Sequence, residues 1–158
     1  MKMQMLRGVV AALLLSGAVV TPFRARAQED RGPWTPASSN ASAITGYIVI
    51  ADGKVTIDYW IFPLAQIRRL KPVEVSSVFD ADVSAGISGT LYRLRVPAAQ
   101  RFEHKNTLCA GEDAQWMATY VAGKKMEVAF FSGDDMPVFT FDAMQKSSTL
   151  CGTFGYSR

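Results

Sequence analysis

The chain has 158 residues, 49% of them hydrophobic, and a formal charge of +3 from 17 basic and 14 acidic side chains. Lys2, Arg7, Arg24 and Arg26 lie in the first 27 positions, so the remainder carries 13 basic residues against 14 acidic ones, a net charge of −1. That balance removes the electrostatic case for a nucleic-acid partner, and the length fits one domain with one core.

Residues 1–27 have the pattern of a secretory signal peptide. Lys2 and Arg7 form a positive start, Val9 to Val20 an apolar run, and Ala25-Arg26-Ala27 a small-x-small cleavage site. A membrane-spanning helix needs about 20 apolar residues, and this run is interrupted by Thr21-Pro22 after twelve. The sequence therefore predicts cleavage after Ala27, no transmembrane segment afterwards, and a periplasmic or secreted protein. No cysteine lies near the end of the apolar run, so a lipid anchor is not expected.

Residues 28–42 are rich in Gly, Pro, Ser and Asn, with Trp34 the one large apolar side chain. They read as a flexible lead-in before a single β-domain over 43–158. Ile44 to Ile50 is β-branched and aromatic, and Asp52-Gly53 is a tight-turn pair. In Val55-Thr-Ile57-Asp-Tyr59-Trp-Ile61 the odd positions are expected on one face. In Pro63 to Ser77, Leu64, Ile67 and Leu70 have helical spacing, Pro72 would stop a helix there, and Val73, Val75 and Val78 alternate; strand and turn is favoured over helix. Phe79 to Gly89 reads as a loop. Strand character returns at Thr90 to Val96, with Tyr92, Leu94 and Val96 inward and Arg93 and Arg95 outward. Further strands are expected at Gln115–Val121, Lys124–Ser132 (Met126, Val128 and Phe130 inward), Val138–Asp142 and Leu150–Tyr156, with Gly123-Lys124 as a tight link.

The expectation is an all-β domain, a single small antiparallel barrel or sandwich of about seven or eight strands with one disulfide. A closed barrel is favoured because it removes exposed edges. The disulfide follows from weighing Thr-Leu-Cys109 and Thr-Leu-Cys151. Two cysteines and one histidine are too few for structural zinc, the pair lacks the Cys-x-x-Cys spacing of a redox dithiol, and the flanks do not repeat. An exported chain then favours a crosslink.

No set of residues commits to catalysis, metal or cofactor. His104 stands in a polar loop without an evident partner. Ser132-Gly133-Asp134-Asp135 reads as a solvated turn, and Asp80 and Asp82 as loop carboxylates short of a calcium site. The candidates for binding are the aromatics Trp60, Tyr92, Trp116 and Tyr120, able either to line a cavity or to fill a core, and the cations Arg68 and Arg69.

Asn106-Thr-Leu-Cys-Ala110, Trp116 with Ala118, Ala129-Phe-Phe-Ser-Gly133 and Leu150-Cys-Gly-Thr-Phe-Gly-Tyr156, with Ile44-Thr-Gly46 and Leu91-Tyr-Arg-Leu94, resemble an uncharacterised family of small exported, disulfide-bonded β-proteins of Gram-negative bacteria. The likeness covers about 110 residues. In that group glycine stands where this chain has Ala110. The resemblance implies export, the disulfide and a β-domain, and no catalytic residue. In architecture alone the chain is similar to periplasmic lysozyme inhibitors. The leading expectation is an exported non-enzymatic domain that binds an envelope protein or a small apolar ligand. The alternatives are an enzyme-inhibitor-like protein, an assembly role and, least favoured, an envelope hydrolase.

Overall fold

A computed structural model describes residues 29–82 and 89–158. The expected leader and its cleavage after Ala27 lie outside the described residues, as do 83–88 of the expected loop. Eight antiparallel strands form a closed barrel, each paired with its neighbours in chain order: β1 Gly32–Pro36, β2 Ile48–Ala51, β3 Lys54–Ile57, β4 Trp60–Leu70, β5 Gly89–Val96, β6 Ala114–Ala122, β7 Lys125–Ser132 and β8 Leu150–Ser157. Helices α1 (Pro72–Phe79) and α2 (Phe141–Gln145) pack outside.

The expected hairpin turns form at Gly53 and Gly123, whose φ angles of 71° and 61° suit glycine. Tyr92, Leu94 and Val96 point inward, as do Met126, Val128 and Phe130. They meet Trp34, Ile48, Ile57, Phe154 and Tyr156 in a filled interior. Across the wall of β5–β7, Leu91, Ala118, Ala129 and Phe131 form a second core with Leu70, Val75, Val78 and Phe139. These strands are therefore apolar on both faces.

Four readings of the sequence are corrected. Residues 28–42 contain a strand: β1 closes the barrel, its first half against β2 (Trp34 opposite Ile48) and its second against β8 (Pro36 opposite Tyr156). The run Val55–Ile61 breaks at Asp58, which takes φ 54°, so its odd positions do not share one face: Val55 and Ile57 are buried, Tyr59 and Ile61 exposed. In Pro63–Ser77 the favoured strand forms as far as Leu70, but from Pro72 onward the chain is a helix and not strand or turn. Pro72 occupies the first helical turn, where its missing N–H costs nothing, and the Glu74 carboxylate accepts the Lys71 N–H at 2.8 Å. Finally, Val138–Asp142 is not a strand. Phe139 packs against Phe131, with ring centroids 5.8 Å apart, and the Thr140 hydroxyl caps α2 by accepting the Ala143 N–H.

The disulfide Cys109–Cys151 is formed, with the Cα atoms 4.8 Å apart. It ties the loop before β6 to the start of β8. Ala110 beside it has φ 47°, in the left-handed region where glycine is favoured.

Candidate functional site

The bulge in β4 between Gln66 and Arg68 decides which wall residues are available. Before it Leu64 faces the interior, and after it Leu70 faces the outer helices. The outer face past the bulge lies under α1 and α2, whereas the face before it, with the adjoining part of β5, is uncovered by the described residues. There Ile61 is 63% exposed, and Ile67 at the bulge 46%. Beside them lies a groove of about 490 Å3, lined by Pro63 and Ala65 of β4, Arg93 and Arg95 of β5, Gln115 of β6 and Asp134.

Arg93 is the fixed element of this groove. Its guanidinium stacks 4.4 Å from the Trp116 ring centre. It donates to the Gln115 side-chain oxygen and, at 3.0 Å, to the Asp134 carbonyl, with the Asp134 carboxylate 3.5 Å away. Trp116 is itself held by donating its indole N–H to the Gly133 carbonyl at 3.2 Å. Arg95 pairs with Asp113 at 2.9 Å, and the Asp113 carboxylate also accepts the Ala98 N–H. The outcome is an apolar shelf edged by an oriented guanidinium. Such a surface can hold an extended chain and one of its carboxylates or carbonyls.

The candidate binding residues are not gathered at one place. Trp60 is exposed at the start of β4. Trp116 lies under Arg93, and Tyr120 stacks on Phe79 at 5.9 Å. Tyr92 lies inside the barrel, where its hydroxyl donates to Asp30 at 2.9 Å. Burial first, and the Asp30 carboxylate second, push its ionisation far above the usual tyrosine range. Thr119 donates to the same Asp30 oxygen at 2.6 Å. Arg69 is opposite Thr90 in the ladder and donates to its hydroxyl at 3.3 Å.

Arg68 gives the Glu74 carboxylate two hydrogen bonds of 2.8 Å each. Those bonds, then the Lys71 N–H and the nearby positive charges, hold the Glu74 carboxyl below its ordinary value. A depressed carboxylate stabilises the fold above the ordinary glutamate range and loses that contribution as pH falls through the native value. Glu74→Gln should therefore lower stability at neutral pH by up to about 1 kcal/mol, because the pair is partly exposed. The difference from wild type should close progressively below about pH 4.5 in thermal melts followed by circular dichroism.

His104 is exposed and its side chain makes no hydrogen bond or ion pair among the described residues. Asp134 and Asp135 are exposed and Ser132 is buried; Asp80 and Asp82 are exposed after α1. Among the described residues no group of three or more His, Cys, Asp or Glu side chains could hold a metal ion, and no helix is long and apolar enough to cross a membrane. Pro63, Ala65, Gln115 and the outward turn of Ile61 are not marked by the sequence pattern. Arg93-x-Arg95 was the available signal, since two cations on one face of a strand mark that face as outward.

No protein-family model, curated protein or solved structure matches this chain.

Proposed function

We propose that this chain is an exported, non-catalytic β-barrel that binds an envelope protein along the uncovered outer wall of β4 and β5. The observation that carries the reading is the exposed apolar row Ile61, Pro63, Ala65 and Ile67 beside a groove in which Arg93 is held by three neighbours. The partner's chemistry follows: an extended segment with apolar side chains for the shelf and an acidic group or chain terminus for Arg93. A protein is favoured over a small apolar ligand because aromatic side chains fill the barrel interior and the groove lies outside. Export is supported by the leader-like first 27 residues and by the disulfide, which persists in oxidising compartments.

The test is site-specific photo-crosslinking in cells. A photoreactive residue at Ala65 should give a discrete adduct that the same residue at exposed Lys125, on β7, does not. Arg93→Glu should reduce the Ala65 adduct about tenfold by placing like charges together, with the fold checked by circular dichroism. Identical adducts from both positions, or none from Ala65, would sink the proposal.

A further inference from the structure

The two sulfurs of the clasp sit in different surroundings. Cys109 is 8% exposed and belongs to the interior cluster. Cys151 is only half-buried, and the disulfide opens onto a cleft of about 260 Å3 whose walls include Glu112, Ser148 and Thr149. Thiol–disulfide exchange requires a thiolate to approach along the S–S axis, from behind the sulfur it attacks. Both cysteines border the cleft, but Cys109 is packed into the interior cluster and Cys151 is the more exposed of the two.

The charges favour the same direction. The Thr149 carbonyl oxygen is 3.6 Å from the Cys151 sulfur. In the disulfide that sulfur has no proton to donate, so the contact is between two electron-rich atoms. Attack at Cys109 would expel a thiolate at Cys151, against this carbonyl. Attack at Cys151 puts the departing charge on Cys109 instead.

We infer that Cys151 is the exchange site of the protein, and that the clasp is opened and closed through its sulfur alone. An incoming thiolate forms a new S–S bond to Cys151, the Cys109–Cys151 bond breaks, and its electron pair leaves on Cys109, which takes a proton from water. Closure is the reverse: the Cys109 thiolate attacks Cys151 in the mixed disulfide and releases the thiol. The reactant is any thiolate that enters the cleft, either a small thiol or the active-site cysteine of a dithiol oxidoreductase.

Native protein is incubated with reduced glutathione in one arm, and in the other with a thioredoxin whose second active-site cysteine is replaced by serine. Both are quenched with excess N-ethylmaleimide and mapped by peptide mass spectrometry. The mixed disulfide should lie on Cys151, with maleimide on Cys109, in roughly tenfold excess over the reverse arrangement. Adduct with glutathione alone identifies a small thiol as the reactant, and adduct in both arms adds the protein catalyst; both support the site. Equal adducts, adduct mainly on Cys109, or reaction only after unfolding in urea would overturn it. Glu112→Gln, a change in an exposed side chain, should speed the glutathione reaction about two- to threefold at low ionic strength and not in high salt. An unchanged rate at low salt would overturn the entry route.

Discussion

Trp34→Ala should lower the stability of the protein by about 4 kcal/mol and its melting temperature by roughly 10–20 °C. The effect is large because so little else holds β1. Three register pairs join β1 to β2 and two join it to β8, and these five close the barrel. Trp34, 1% exposed, is the side chain that fixes them. Its indole N–H donates to the Asp30 carbonyl at 2.8 Å, and the Arg158 guanidinium covers the ring at 4.1 Å. With the indole gone, the facing edges of β2 and β8 become templates for other chains. Thermal melting with light scattering should therefore show aggregation at lower temperature as well as the shift. Arg158→Ala, which leaves the indole in place, should cost only about 1 kcal/mol. A Trp34→Ala protein melting within a few degrees of wild type would mean that β1 is not what closes the barrel.

This strand is also where sequence reasoning had least to work with. Gly32-Pro-Trp-Thr-Pro36 has two prolines and no alternation, so it reads as a lead-in. It can be a strand because it changes partner halfway and no proline must serve a long ladder on both sides. By contrast, Tyr92, Leu94 and Val96, or Met126, Val128 and Phe130, declare their inner face directly, because alternation survives wherever no bulge intervenes. In β4 it does not survive. Leu64, Ile67 and Leu70 imitate helical spacing because the extra residue at the bulge sends Leu64 and Leu70 to opposite sides of the wall. A two-residue turn at Asp58 hid the exposure of Ile61 in the same way, since the apolar alternation runs straight through it.

The candidate site was legible in its pieces and not in its assembly. Arg93, Arg95 and Trp116 each drew notice. That Trp116 lies under Arg93, with Gln115 and Asp134 as its other supports, follows from the register of β5 on β6 and from the turn after β7. Equally, the sequence offers no sign of which half of the outer wall α1 and α2 cover. The residues that make the groove are individually ordinary. What distinguishes them is that, among the described residues, no helix lies over them.

Cys151→Ser should also cost about 4 kcal/mol, by a different route. The bridge spans 42 residues, and opening a loop of that length frees about 4 kcal/mol of chain entropy in the unfolded state. Against a typical stability of about 5–15 kcal/mol, such a loss should reduce folded yield and lower the melting temperature by roughly 10–20 °C. Because the cost lies in the unfolded chain and not in a lost contact at the groove, the folded fraction should keep the Ala65 crosslink at wild-type efficiency per folded molecule. Reduced wild-type protein should melt within a few degrees of Cys151→Ser, since both lack the same constraint. If reduction left the melting temperature of wild type unchanged, the bridge would not supply the stability assigned to it. If the crosslink vanished in protein that still folds, Cys151 would belong to the recognition surface and not only to the clasp that holds β8 against the loop before β6.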